Sequence, residues 1–163
     1  MDINIILNQF LTKKLRLEIS NLKNKEWKYG VEVNLNWLNK NIKKNDIHIL
    51  IKKNKELIAY NCLRKKKFLD NNKKTKKIYI FDSLIVKKKF RKFGLGKTLL
   101  LISNTLLQVN KCPGFLLCDH KNLNFYKKFY WILENKIIVE NHKHSKNQMI
   151  FNIKKNIIKK VKY

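Results

Sequence analysis

The spacing of apolar positions along this chain changes period several times, and each change marks an element. Residues 3–7 form a short apolar run that reads as an edge strand. Leu11, Leu15, Ile19 and Leu22 then recur at helical spacing and predict an amphipathic helix over residues 10–25. Residues 26–30 break that stripe, and Leu35, Leu38 and Ile42, with Trp37 alongside, predict a second, shorter helix. Residues 46–51 and 57–63 read as two strands joined by a polar hairpin loop. The lysine- and asparagine-rich stretch 68–77 reads as a solvated loop tip. Residues 78–86 form a β-branched, apolar run, the mark of a buried strand. A basic turn follows, and the next apolar period predicts a helix from about Lys97 to Asn110. Cys112-Pro113-Gly114 stops it. Residues 115–118 read as a short strand, parallel to the central one if it rejoins that strand through the helix. A helical segment over 119–130 and a closing hairpin, 132–140 with 148–153 around residues 142–145, complete the pattern. The basic tail 154–163 reads as a loose helix.

The junction after residue 86 carries the chemistry. Gly94 and Gly96 permit backbone conformations closed to other residues and let a ligand reach the bare main chain. The first turn of the following helix offers unpaired N–H groups and the positive end of its dipole. That combination suits an anion such as a pyrophosphate, with Arg91, Lys92, Lys97 and Thr98 adding charge and a hydroxyl. It is not a P-loop, because Lys92 stands where the first glycine would fall. It is not a dinucleotide fingerprint either, because Leu99 stands where the third glycine would fall.

Leu84, Val86, Arg91, Gly94 and Gly96 follow the order Leu-x-Val, then Arg-x-x-Gly-x-Gly five residues on, which resembles the acyl-CoA-binding signature of the GNAT superfamily of N-acyltransferases. The family often has a proline where this chain has Lys88, and a glycine where it has Lys92. About thirty residues further, Tyr126 and Trp131 resemble the family's helix-end pattern Tyr-x-x-x-Gly-aromatic, with Tyr130 in place of the glycine. The resemblance in motifs covers residues 78–131, and the flanks agree in element order. It implies an α/β fold of the α+β type, a mixed, splayed sheet of about six to seven strands flanked by about four helices. It also implies acetyl-CoA as co-substrate, no metal, and direct transfer of the acetyl group to an amine in a ternary complex. By the same resemblance, Leu84 and Val86 make main-chain contacts to the acyl-pantetheine arm. Arg91, Lys92, Phe93, Gly94, Leu95, Gly96, Lys97 and Thr98 hold the pyrophosphate.

An ammonium cannot attack a thioester, so a base or water relay must take its proton. Asp82 is the carboxylate placed for this by family analogy, and strand alternation would set it on one face with Leu84 and Val86. The rival reading of Asp82 is a strand-end acid paired with a lysine. Asp119 and His120 are second choices. Tyr126 fits the donor that protonates the departing thiolate, against the plainer reading of a packing tyrosine between Phe125 and Phe129.

Composition changes this picture little. The 163 residues are long enough for a real core, and 44% are apolar. The expected organisation is one domain over residues 1–154 and a tail at 155–163. No run of about eighteen apolar residues exists, so no membrane span is expected. The first residues lack the marks of a signal peptide. Cys62, Cys112 and Cys118 are an odd count without framework spacing, which suits a reducing compartment, the cytoplasm. A zinc site built from Cys112, Cys118, His120 and His142 or His144 has no tight ligand spacing behind it. Trp27, Trp37 and Trp131 read as core residues.

The charge is +27, from 38 Lys+Arg against 11 Asp+Glu. Arginine occurs only at 16, 64 and 91, whereas phosphate and base recognition favour its fork. The lysines spread along the whole chain, so the charge reads as compositional drift rather than a nucleic-acid surface. The partner expected is a small-molecule or peptide amine, the protein acting as a monomer or homodimer. A catalytically idle scaffold that binds RNA or an anionic surface is the rival from another class, and a protein N-acetyltransferase the rival within enzymes.

Overall fold

The structure, a computed structural model, describes residues 1–140 and 146–162. In chain order the elements are β1 (Asp2–Leu7), α1 (Lys13–Trp27), α2 (Val31–Asn41), β2 (Ile47–Lys53), β3 (Glu56–Asp70) and β4 (Thr75–Val86). After them come α3 (Leu95–Val109), β5 (Gly114–Cys118), α4 (Leu123–Lys127), β6 (Ile132–Leu133), β7 (Ile138–Glu140), β8 (Asn147–Phe151) and β9 (Ile158–Lys162). They form two compact units, Met1–Arg64 with Asp82–Leu99, and Lys65–Phe81 with Leu100–Tyr163. β3, β4 and α3 each contribute residues to both.

In the first unit β1 and β2 are antiparallel, as are β2 and β3. The turn between β2 and β3 is tight because Asn54 and Lys55 both take positive φ, 49° and 64°, the two-residue geometry that matches strand twist. α1 starts where the Thr12 hydroxyl accepts the Leu15 N–H at 3.2 Å. It ends at Lys28, in the left-handed region at φ 50°. Its predicted stripe is the buried one: Leu11, Ile19 and Leu22 pack with Leu38, Ile42, Leu50, Leu57, Tyr60 and Ile85.

In the second unit β4 runs parallel to β5 through Tyr79 opposite Gly114 and Ile80 opposite Phe115. β5 continues antiparallel to β8, and β8 to β6. β9 pairs antiparallel with the end of β3 and parallel with β7. Phe68, Ile78, Ile80, Phe115, Ile137, Ile150, Ile158 and Val161 fill the core. Gly114 is fixed by packing, since a Cβ there would sit 2.7 Å from Leu107 Cδ1 and 2.8 Å from the Trp131 ring.

Four expectations need correction. The stretch 68–77 is mostly strand: Phe68 is buried and β3 runs on to Asp70. The Asp70 carboxylate accepts the Asn72 and Lys74 N–H groups at 2.9 Å each, so only a short capped tip is left as loop. The tail is not a helix but β9, because Ile158 and Val161 are core residues at an open strand edge. Residues 132–140 are two strands with different partners, β6 on β8 and β7 on β9. The third helix starts at Leu95, two residues before the apolar period shows it. The turn expected at residues 142–145, with His142 and His144, lies outside the described residues.

Candidate active site

In the first unit, β4 ends in a strained step. Ser83 has φ 61°, a conformation that costs an L-residue roughly 1–2 kcal/mol. The alternation expected to put Asp82 on one face with Leu84 and Val86 is therefore interrupted between Asp82 and Leu84. Side-chain hydrogen bonds hold the step. Ser83 Oγ donates to Asp82 Oδ1 at 2.8 Å and accepts from Lys23 Nζ at 3.1 Å. Arg64 Nη1 donates to Asp82 Oδ2 at 2.8 Å. Both oxygens of Asp82 are thus engaged, each by one hydrogen bond that leaves it a second lone pair.

Lys23 and Arg64 are both buried, and both lie over the Trp37 ring, 3.9 Å and 5.1 Å from its centroid. Trp27 faces Lys23 at 5.5 Å. The pKa of Lys23 is lowered, first by burial and further by Arg64, while Asp82 and Cys62 pull it back up. This network was missed from the sequence. One signal was present: with only three arginines among so many lysines, each is a place where a fork is used. Arg16 donates to the Asn8 carbonyl, Arg64 to Asp82, and Arg91 to the Val86 carbonyl and to Glu26. Nothing in the pattern marked Lys23, which looks like any other lysine on α1.

Beyond Val86 the chain makes a short 3-10 turn at Lys88–Phe90 and then reaches α3. Arg91 Nε donates to the Val86 carbonyl at 3.1 Å, so the first sequence motif closes on itself. Lys92 and Gly94 take positive φ, 71° and 77°, and a Cβ at Gly94 would meet nothing within 4 Å. The Thr98 N–H bonds the Gly94 carbonyl at 2.9 Å, and the Thr98 hydroxyl also points there at 3.3 Å. The N–H groups of Leu95, Gly96 and Lys97 precede that bond and belong to the open first turn. Phe93 is exposed and Leu95 is buried. Glu56 pairs with Lys87 and Lys89, and Glu26 with Arg91. Lys88, Lys92 and Lys97 have no ion-pair partner among the described residues. A cleft of about 450 Å³ lies beside this strand end, between Leu22, Lys25 and Glu26 of α1 and Ile85 to Lys89.

In the second unit Tyr126 sits on α4 in an aromatic cluster. Its ring meets Phe81 edge-on at 6.0 Å, Phe125 at 5.1 Å and Trp131 at 6.3 Å. The hydroxyl makes no hydrogen bond among the described residues. Burial, then Cys118 and Asp119, raise its pKa well above the ordinary tyrosine value, so the proton stays on at neutral pH. Tyr130 takes φ 67°, the conformation the family's glycine would supply, so the helix exit is kept without the glycine. β5 pairs with β4 only at its first two residues, and Leu116, Leu117 and Cys118 pair with β8 alone. Asp119 and His120 are exposed beyond it. All three cysteines are free and buried. Among the described residues no three His, Cys, Asp or Glu side chains gather as a metal site would need.

Residues 16–130 match the family model described as acetyltransferase (GNAT) family. The chain belongs to that family. Its fold is the GNAT fold, mixed α/β with four α-helices among the described residues. Escherichia coli ElaA is similar over 91% of this chain and 97% of its own, with 19% identity and a TM-score of 0.69. The aminoglycoside 6'-N-acetyltransferase from Enterococcus faecium matches over 95% of this chain and 99% of its own, with 13% identity and a TM-score of 0.70. The Bacillus subtilis N-acetyltransferase YlbP, in complex with coenzyme A, matches over 92% and 95%, with 17% identity and a TM-score of 0.59. At these identities the likeness shows the fold. No curated protein matches the sequence. No helix among the described residues is long and apolar enough to cross a membrane.

Proposed function

We propose that this GNAT chain moves an acetyl group from acetyl-CoA to a primary amine by direct attack in a ternary complex. The observation that carries this reading is the turn after β4. Gly94 at φ 77° faces open space, the first turn of α3 lies open behind it, and Lys92 and Lys97 flank it with no ion-pair partner among the described residues. Within the turn from Arg91 to Thr98, the main-chain N–H groups of Leu95, Gly96 and Lys97 hold the pyrophosphate, since those of Arg91 and Thr98 are bonded to the Lys88 and Gly94 carbonyls. Leu84 and Val86 offer their main chain to the acyl-pantetheine arm, and the cleft beside Val86 extends that surface. Main-chain N–H donors stabilise the carbonyl oxygen as charge develops, a contact worth about 3 kcal/mol where such donors have been removed.

Asp82, held by Arg64 and Ser83, takes the acceptor's proton directly or through water. Tyr126 delivers a proton to the thiolate. Burial keeps Tyr126 protonated at neutral pH and also makes it a weaker acid, so the donor role rests on its match to the family's motif tyrosine. Transfer from a thioester to an amine asks for no metal, and three free, buried cysteines suit a cytoplasmic enzyme. The acceptor is a small-molecule or peptide amine. The aminoglycoside acceptor named for the Enterococcus faecium enzyme is a polycation, which the +27 charge here disfavours.

Acetyl-CoA at one hundred times its dissociation constant should stabilise the protein by about 2.7 kcal/mol, read as a rise in melting temperature. Gly94→Val should abolish that rise while the unliganded protein still folds. No shift with acetyl-CoA, CoA or longer acyl-CoAs would remove the enzyme reading.

A further inference from the structure

β1 leaves one hydrogen-bonding edge open. It pairs with β2 along all six residues, from Asp2 opposite Lys52 to Leu7 opposite Ile47, with no register shift. Among the described residues it pairs with no other strand, so its far side presents N–H and C=O groups to which no strand is paired. Ile3, Ile5 and Leu7 alternate onto one face and are 48%, 51% and 36% exposed. Beside them on β2 stand Ile51, Ile49 and Ile47.

Free edges are ordinarily blunted by lysine, proline or a bulge. This edge has none of the three, in a chain with 38 Lys+Arg. Residues 1–12 contain no lysine or arginine, and Asp2 is their only charged side chain. The neighbouring residues 47–51 add no charge either, because burial lowers the His48 pKa to about 4. Lys52, opposite Asp2, is paired with Glu18 at 2.6 Å. A net charge of +27 pushes two copies apart over most of the surface. β1 itself adds no positive charge to that repulsion, and apolar side chains and backbone groups are both available along it.

We propose that β1 pairs with β1 of a second copy of this chain, antiparallel, across a two-fold axis normal to the sheet. Such an axis keeps the same face up in both copies, so residues of like parity lie opposite each other. Ile5 then faces Ile5 of the second copy and Ile3 faces its Leu7. Six apolar side chains form one stripe over a continuous sheet.

Sedimentation equilibrium of the full chain should give the mass of two chains at micromolar concentration. The dimer should tighten as salt rises, because screening removes repulsion and leaves the apolar contact. Ile5→Lys puts two ammonium groups face to face at the axis and should weaken the dimer at least about a hundredfold. Val109→Lys, an equally drastic change at another exposed apolar position, should leave it intact. Should Ile5→Lys fail to fold by circular dichroism, Ile5→Thr keeps strand propensity, removes the apolar contact and should still weaken the dimer. A monomer at high protein and salt would overturn the proposal. So would a dimer that loosens with salt, or one unmoved by folded Ile5→Lys or Ile5→Thr.

Discussion

The two units bury different chemistry. The first encloses Asn8, Ser20, Lys23, Asn34, Asp46, His48, Asn61 and Arg64 alongside its aliphatic core. The second buries fewer polar groups, Asp70, Ser103, Asn104 and Glu134, and is built on rings: Phe68, Tyr79, Phe81, Phe115, Tyr126, Trp131 and Phe151 are all buried there. Buried rings stabilise by area and packing, with only loose demands on partners. A buried polar group gains little net energy when paired and costs much when not, so what it adds is a defined arrangement. The unit with the more polar interior also carries Asp82 and the glycine turn at residues 91–98.

That contrast predicts opposite outcomes for two side-chain removals. Trp131 stacks on Phe151 at 5.4 Å, donates to Asn104 at 2.9 Å and fills the space above Gly114. Trp131→Ala should cost about 4 kcal/mol. Lys23→Met replaces a buried cation by an apolar chain of similar length, next to a second cation. It should change stability by less than about 1 kcal/mol in either direction. Denaturant melts of the two variants give the comparison directly. Equal losses would mean the polar network holds the first unit together as rings hold the second.

A second way to break the contrast is pH. His48 is fully buried, with Nδ1 3.0 Å from the Tyr60 hydroxyl and Nε2 3.1 Å from Asn8 Oδ1. The neutral ring satisfies both if Nε2–H donates to Asn8 and Nδ1 accepts from Tyr60. Burial, then Arg16 and Lys23, lower its pKa from 6.5 to about 4. The unfolded chain therefore takes up the proton first as pH falls. Stability is fully present above about pH 6.5 and is lost progressively down to about pH 4, by roughly 3 kcal/mol. Replacing His48 by Gln should flatten the melting curve's pH dependence across that window while lowering stability throughout.

The same division decides what the sequence discloses. Apolar period locates α1, α2, β2, β4 and β5 because burial on one face leaves a repeat of two or near four. The end of β3 is hidden, since Lys65 to Lys67 interrupt the apolar run before Phe68. β9 is hidden because Ile158 and Val161 fit a helical spacing and their strand partners lie far along the chain. The glycine motif marks the turn at residues 91–98, where Lys92 and Gly94 take positive φ. Ser83, Lys23 and Arg64 stay invisible because their meaning lies in contacts with one another across three elements, and no local spacing records such contacts.

Tyr126 tests whether a ring in the second unit does more than pack. Tyr126→Phe keeps the ring and its contacts with Phe81, Phe125 and Trp131 and removes only the hydroxyl. Turnover should fall at least about tenfold, the lower edge of what general acids contribute, while the melting temperature and acetyl-CoA affinity hardly move. The deficit should shrink with a thioester whose thiol is more acidic. Unchanged turnover in a chemistry-limited assay would return Tyr126 to the packing cluster.

The smallest effect concerns a feature the two units share. Lys92 in the first and Tyr130 in the second stand where the family favours glycine, and both adopt the left-handed backbone, at φ 71° and 67°. Each carries a steric cost of roughly 1–2 kcal/mol that glycine would not. Glycine would give back part of that gain by loosening the unfolded chain, so the net benefit should be about 0.5–1 kcal/mol. Tyr130 is 83% exposed, and little burial is lost with its ring. Tyr130→Gly should therefore raise the melting temperature by about 2 °C. Lys92→Gly should do the same without ligand, yet weaken acetyl-CoA binding slightly by removing a charge from the turn. A destabilised Tyr130→Gly would mean its ring makes contacts that outweigh the backbone strain. Equal acetyl-CoA affinity for Lys92→Gly and the parent chain would mean that main-chain groups alone hold the anion.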